Sequence, residues 1–371
     1  LFNVEFLQNP STTKALKNSP KQKLLFIHPG GLGDVILLSP ALRMLRENLS
    51  DKWQIDLLVE QRAFNGAQEF FSEANLVNEI KVFDFKGKFA FLKIFALLQK
   101  ISGYQTIISS GSSPLVSLLL FFSGASRRIG FASKFSFLLT AAIKLNKKQY
   151  AAKMLADLVK PLVSTFQEES FVPQLVINST QNPVSELQAA KYFLIHPGVS
   201  KLGLAKNFIK SPNADYWSEL IQQLFTNYPD HKIVLVGGPD DIEIVEQISK
   251  LLPENKQLLN LSETKFKLLE LASLIKESQV FICADSAPLH LAVSVNAKTA
   301  ALFGPTDPEK IVPKVNNLKV VQVPGLLCQP CLWSKRSQSC ALPLCVSYQQ
   351  SEAVLKAISQ LLGIPALLKV E

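Results

Sequence analysis

The sequence predicts an α/β protein of two similar halves, and three observations predict it. The tetrapeptide Ile-His-Pro-Gly occurs twice, at residues 27–30 and 195–198, near the start of each half of a 371-residue chain. Each copy closes a short apolar run, Leu24-Leu25-Phe26 in the first and Tyr192-Phe193-Leu194 in the second. Beyond each copy, short apolar runs alternate with helix-patterned stretches, as parallel sheets with crossover helices require. Each copy therefore reads as a strand, a tight turn at its carboxyl end, and a helix whose N-terminus faces a ligand.

In the first half, residues 23–28 read as a buried strand and 29–33 as the turn, followed by a helix over 34–49. Strands are expected at 54–60 and 79–85, then a Phe/Lys-rich helix over 89–101. Short strands at 105–109 and 128–131 flank an apolar helix over 114–122. A helix follows over 151–166. The polar stretch 178–186, with Asn182-Pro183, reads as a linker. The second half repeats the plan. Strands fall at 192–196, 232–236, 279–284 and 299–303, and helices at 214–227, 242–252, 267–276 and 289–295. A last helix over 351–362 follows the second sheet and is expected to cross back onto the first domain.

Hydrophobic residues make up 47% of the chain and charged residues 19%, enough for two sizeable cores. The net charge of +9 suits an anionic partner. The basic residues form no arginine-rich block or zinc-finger pattern, so nucleic acid is disfavoured. The first twenty residues lack the pattern of a secretory signal, and no apolar run is long enough to span a bilayer. The expectation is a cytoplasmic protein. Peripheral contact at the inner face of the cytoplasmic membrane is the sharper alternative.

Six segments carry candidate chemistry. Gly30-Gly31-Leu32-Gly33-Asp34 follows a strand and opens a helix, but its glycine spacing fits neither a dinucleotide fingerprint nor a P-loop. Asp34 reads as a capping carboxylate or as a general base. Asp285-Ser286-Ala287-Pro288-Leu289-His290 reads as a phosphate cradle of amides, a hydroxyl and a helix dipole, or as a cap with a packed histidine. Phe303-Gly304-Pro305-Thr306-Asp307 ends the next strand, with Thr306 as a hydroxyl donor. The loop 201–210 holds Lys201, Lys206 and Lys210, for a diphosphate or for solvent. Gly237-Gly238-Pro239-Asp240-Asp241 places a carboxylate where a ribose hydroxyl is often held. Cys328, Cys331, Cys340 and Cys345 are spaced for structural zinc, with disulfides or free thiols as the alternatives. Cys283 reads as a small core residue.

Together these segments resemble the ADP-heptose:lipopolysaccharide heptosyltransferase family, glycosyltransferase family 9. The matching residues are Gly33-Asp34-Val35, Ser39-Pro40-Ala41-Leu42, the second Ile-His-Pro-Gly, Gly237 to Asp241, Asp285-Ser286, Leu289-His290-Leu291-Ala292 and Phe303 to Thr306, in the family's order. The resemblance implies a GT-B type α/β fold of two Rossmann-like domains facing across a cleft. It implies an arm at 1–20, an acceptor-side domain at 21–177, a linker at 178–190, a nucleotide-sugar domain at 191–345 and a C-terminal helix segment at 346–371. The implied activity is inverting transfer of a sugar, heptose by family default, from a nucleoside diphosphate to a lipopolysaccharide core or other lipid-linked acceptor.

By the same resemblance Asp34 is the catalytic base. Ser200, Lys206, Asp241, Asp285, Ser286, Pro288, His290, Gly304 and Thr306 bind the donor, ADP-heptose by default. Gly31, Gly33 and Arg128 lie on the acceptor side. No cofactor is required. Ala287 stands where relatives carry glycine, which supports the rival reading of a non-catalytic glycan- or nucleotide-binding relative. A sugar-nucleotide epimerase of the same two-domain plan is a second rival.

Residues 81–100 interleave Phe83, Phe85, Phe89, Phe91 and Phe95 with Lys81, Lys86, Lys88, Lys93 and Lys100. Their broad apolar coverage favours a core helix with snorkelling lysines. The alternative is an edge that docks on anionic lipid.

Overall fold

The structure is a computed structural model. It describes residues 21–84, 90–164, 171–177, 182–332 and 340–365, leaving aside the side chains of residues 90–92 and 202. The expected arm at 1–20, residues 178–181 of the linker, and Phe85, Lys86, Lys88 and Phe89 fall outside these residues.

Two six-stranded parallel sheets form the frame. The first contains β1 (Gln22–His28), β2 (Trp53–Glu60), β3 (Glu79–Phe83), β4 (Thr106–Ser109), β5 (Arg127–Phe131) and β6 (Ala141–Ile143), in the order β3-β2-β1-β4-β5-β6. The second contains β7 (Tyr192–His196), β8 (Lys232–Leu235), β9 (Leu258–Asn260), β10 (Val280–Ala284), β11 (Thr299–Leu302) and β12 (Leu318–Val321), in the order β12-β11-β10-β7-β8-β9. Counted from its own first strand, each sheet has the same doubly wound order. Its switch point lies beside the strand that carries the tetrapeptide, β1 next to β4 and β7 next to β10.

The helices of the first half are α1 (Leu32–Asn48), α2 (Phe64–Ala74), α3 (Ala90–Ile101), α4 (Pro114–Phe122) and α5 (Ala151–Asp157). Those of the second are α6 (Lys201–Leu204), α7 (Ala214–Asn227), α8 (Ile242–Leu251), α9 (Leu268–Glu277), α10 (Ala287–Ser294), α11 (Pro308–Ile311), α12 (Leu344–Ser347) and α13 (Ser351–Leu362). Alternation along the strands sorts them into layers. Leu24 and Phe26 of β1 face α1, while Leu25 and Ile27 face α3 and α4. Leu194 of β7 faces α9 and α10, while Phe193 and Ile195 face α7 and α8.

One apolar cluster runs through both halves, joining Val35 and Ile36 of α1 to Leu289 and Leu291 of α10. The α1–α10 and α2–α9 pairs hold the halves together. The Leu268 amide adds a hydrogen bond to Glu69 Oε2 at 2.6 Å.

Helix α1 contains Pro40. Its ring nitrogen cannot donate to the carbonyl of Ile36, four residues back. The Ser39 hydroxyl donates there instead, at 2.7 Å, and Ser39 is fully buried. The helix expected over 151–166 ends at Asp157, because Pro161 removes the next turn's donor and a 3-10 turn follows. The short strands β6, β9 and β12 and helix α2 were not expected. Three or four residues in a strand give too short a pattern to register.

The last helix departs from expectation. α13 packs on β10, β11, β12 and α7 of the second half, not on the first domain. Val354, Ala357, Ile358 and Leu361 join the cluster of Trp217, Ile282, Ala300 and Leu302. α7 and α8 leave that face of β10–β12 uncovered. Covering it is worth on the order of 1.5–3 kcal/mol for each large side chain. No helix among the described residues is long and apolar enough to cross a membrane.

Candidate active site

The site forms where the N-terminus of α1 meets the first turn of α10. Asp34 sits in the first turn of α1, exposed, and its Oδ2 accepts the Gly31 amide at 2.9 Å. It therefore acts as a cap, as residue type alone suggests, yet its carboxylate still lies open at the sheet ends. Gly30 makes room for it. A Cβ at Gly30 would lie 2.6 Å from Asp34 Cβ and 2.7 Å from His28 Nε2. Gly33 makes room for the opposite half. A Cβ there would lie 2.7 Å from His290 Cδ2 and 3.4 Å from the Ala287 Cα.

His28 ends β1 at the first switch point. Its Nδ1 bonds the Ser110 hydroxyl at 2.7 Å, and its buried Nε2 has no hydrogen-bond partner. Burial lowers its pKa from 6.5, opposed by the Asp34 charge. His290 is lowered from 6.5 by burial as well. There Asp285 and Asp34 push it back up and Lys210 reinforces the fall. Both imidazoles are thus held neutral around Asp34.

In the second half, Asp285 follows β10 and Ser286 caps α10 with an extended backbone (φ −149°). Pro288 stands in the first turn, where its missing amide costs no hydrogen bond. The buried Asp285 carboxylate pairs with Lys210 Nζ at 2.9 Å. Lys206 is exposed at the far part of the same loop. Chain geometry explains the difference. The loop leaves β7 at Pro197 and returns at Ser211, whose hydroxyl donates to the Pro197 carbonyl at 2.5 Å. The returning end, not the middle, lies at the strand tips. A Cβ on Gly304, after β11, would lie 3.7 Å from the Lys210 Cα, so that turn borders the same place. Thr306 is buried beyond it, with its hydroxyl unpartnered.

Asp241 is buried. Its Oδ2 accepts the Gly238 amide at 2.9 Å and faces His196 Nε2 at 3.3 Å. Gly198 is needed there, since a Cβ would lie 1.9 Å from Asp241 Oδ1. The exposed carboxylate of this turn is Asp240, which accepts the Lys201 amide at 3.2 Å. Ser200 is exposed at the start of α6. Arg128 is turned to internal use: its guanidinium donates to the Leu138 and Ala125 carbonyls and lies over the Phe121 ring.

The structure thus brings Gly31, Gly33, Asp34, Asp285, Ser286 and His290 together, and adds His28 and Lys210. His28 was legible as half of a repeat but carried no sign of a role. Lys210 was one of three lysines in a loop, and its pair with Asp285 and the hydrogen bond that anchors Ser211 single it out.

Cys331, Cys340 and Cys345 line one pocket with Phe208, Ile209 and Pro305. Burial and the neighbouring thiols push Cys345 up to about 11. Cys328, Cys340 and Cys345 are free thiols, not disulfides. Among the described residues no three His, Cys, Asp or Glu side chains are arranged to hold a metal ion. Cys283 is a fully buried core residue, as expected.

The family model for glycosyltransferase family 9 (heptosyltransferase) matches residues 94–342. Lipooligosaccharide heptosyltransferase 2 of Campylobacter jejuni is 25% identical over 345 residues, covering 91% of this chain and 98% of that protein. Lipopolysaccharide heptosyltransferase 3 of Escherichia coli K12 is 26% identical over 301 residues, covering 74% of this chain and 80% of that protein. The solved structure of E. coli ADP-heptose lps heptosyltransferase II superposes with a TM-score of 0.66 at 21% identity, covering 91% of this chain and 99% of that one. Two parallel six-stranded sheets meeting at one site and a family match across most of the chain lead to one conclusion: this chain belongs to glycosyltransferase family 9, the heptosyltransferases.

Proposed function

We propose that this glycosyltransferase moves a heptose from ADP-heptose to a sugar hydroxyl of a lipopolysaccharide or lipooligosaccharide core, with inversion at the anomeric carbon. The observation that carries the reading is the placement of an open carboxylate, Asp34, opposite the Lys210–Asp285 pair and the start of α10. Asp34 takes the proton of the acceptor hydroxyl as that oxygen attacks the anomeric carbon. The new carbon–oxygen bond forms as the bond to the diphosphate breaks, and the electron pair leaves on the diphosphate. Lys210, the Ser286 hydroxyl and the positive end of α10 stabilise that charge.

Lys210 takes the phosphate role in this reading, in place of Lys206. Asp240, being exposed, takes the ribose contact in place of Asp241, which locks the β7 and β8 turns together through His196 and Gly238. Neutral His28 and His290 hydrogen-bond and orient without adding charge beside the base. Ser200, Gly304 and Thr306 border the nucleotide side, and Pro288 fixes the first turn of α10. In this reading the acceptor is lipid-linked, so the enzyme works at the cytoplasmic face of the membrane. The domain limits follow the sheets, with α13 assigned to the second domain.

The test is a transfer assay with ADP-heptose and a heptose-deficient core acceptor, read by mass spectrometry. One added heptose per acceptor, lost in Asp34→Asn, supports the proposal. Sugar-nucleotide epimerisation without acceptor, or ADP binding without any turnover, sinks it.

A further inference from the structure

The first half carries an exposed apolar patch that neither its core nor its cleft uses. Helix α4 has a single polar side chain, Ser117. That residue is buried and hydrogen-bonded to Ser133 at 3.2 Å. Leu115 (69% exposed) and Phe122 (68%) point outward instead. For a water-facing helix this polarity is inverted. The patch continues on both sides, to Phe95 (63%) of α3 and Phe137 (77%) of the turn Ser136–Leu138, both elements packing against α4.

The segment that builds the patch carries charge of one sign. From residue 90 to residue 156 the chain carries nine Lys and Arg and no Asp or Glu, equal to the +9 net charge of the whole chain. Two of these cations sit on the patch's own rings: the Arg128 guanidinium 5.7 Å from the Phe121 centroid, and Lys134 Nζ 5.9 Å from that of Phe135. Apolar and aromatic side chains with cations over their rings complement anionic headgroups over acyl chains. A second copy of this face would meet it with like charge. The patch also reaches toward the cleft. Ser110, which bonds His28, precedes α4 by a short turn.

We infer that α4, Phe95 and the Phe137 turn form a docking face for an anionic lipid bilayer, which sets the acceptor side of the cleft beside the membrane. The inference shares with the proposed function the assumption of a lipid-linked acceptor. Of the 81–100 segment it keeps Phe95 and leaves out the rest. There Phe83 is buried and Lys93 pairs with Asp84 at 3.0 Å.

Flotation of the full chain with vesicles of phosphatidylcholine, alone or mixed with phosphatidylglycerol, tests it. Binding is expected only with the anionic lipid, falling with salt. Each of Arg127→Gln and Lys134→Gln is expected to weaken binding about five-fold. The exposed double variant Phe122→Ser/Phe137→Ser is expected to lose most vesicle binding while glycosyl transfer to a core oligosaccharide freed of its lipid stays unchanged. Equal binding to both vesicle types, or no change in any variant, overturns the docking face. So does a dimer that the phenylalanine variant splits while vesicle binding is kept. The vesicle readout needs no turnover, so failure of the transferase reading leaves it intact and distinguishable.

Discussion

Lys210 Nζ lies 2.9 Å from Asp285 Oδ2 and ties the returning end of the loop after β7 to the end of β10. The pair sets a cation beside a helix N-terminus, where the proposed transfer would leave charge on a diphosphate. Lys210→Met is expected to weaken ADP binding by about 1.5–3 kcal/mol, on the order of ten- to hundred-fold. Lys206→Met is expected to bind like wild type. Calorimetric titration of both variants decides between the lysines, and the reverse pattern would restore Lys206.

Asp34→Asn keeps an oxygen for the Gly31 amide and removes the basic carboxylate. Turnover is expected to fall about 10²–10⁴-fold, with the melting temperature held. A variant that melts early would show that the capping contact, not base catalysis, is the main use of Asp34.

Gly33→Ala places a methyl group 2.7 Å from His290 Cδ2, at the contact between the halves. His290 is buried, so either its ring shifts or α1 and α10 separate. A loss of about 1–3 kcal/mol in stability is expected, with a fall in kcat larger than Gly31→Ala produces. At Gly31 a Cβ would meet Asp34 Oδ2 only at an ordinary 3.7 Å.

His28 and His290 both have pKa values lowered from 6.5 by burial. The unfolded chain therefore takes up protons that the folded chain refuses. Their contribution to stability is full above pH 6.5 and is lost as pH falls from 6.5 toward the folded values. The slope is about 1.4 kcal/mol per pH unit for each histidine at most. Unfolding measured between neutral and mildly acid pH should show it. The double variant His28→Gln/His290→Gln should flatten it.

Ser39→Ala removes the hydroxyl that satisfies the Ile36 carbonyl in place of the absent Pro40 amide. With that carbonyl buried, a cost of about 1–3 kcal/mol is expected by chemical denaturation. If Pro40→Ala restores the amide donor, the Ser39→Ala cost in that background should shrink.

Local pattern carried the repeated tetrapeptide, the alternation of strands and helices and the division into two halves, because hydrophobic periodicity is a property of neighbours in the chain. The glycines at 30, 31 and 33 and the Asp285-Ser286 turn were legible for the same reason, since each is a strand end with its helix start. What local pattern does not encode is which of several like residues reaches a shared place. Lys206 and Lys210 differ in placement because Ser211 anchors its loop to Pro197. Asp240 and Asp241 differ only because Gly198 leaves a space that Asp241 fills. His28 gains its environment from Asp34 and from Ser110, just past the end of β4 and eighty-two residues away. α13 found its position from the uncovered face of β10–β12, an absence that no sequence window displays. These choices rest on packing and on charges brought close by the fold, and distance along the chain says nothing of either.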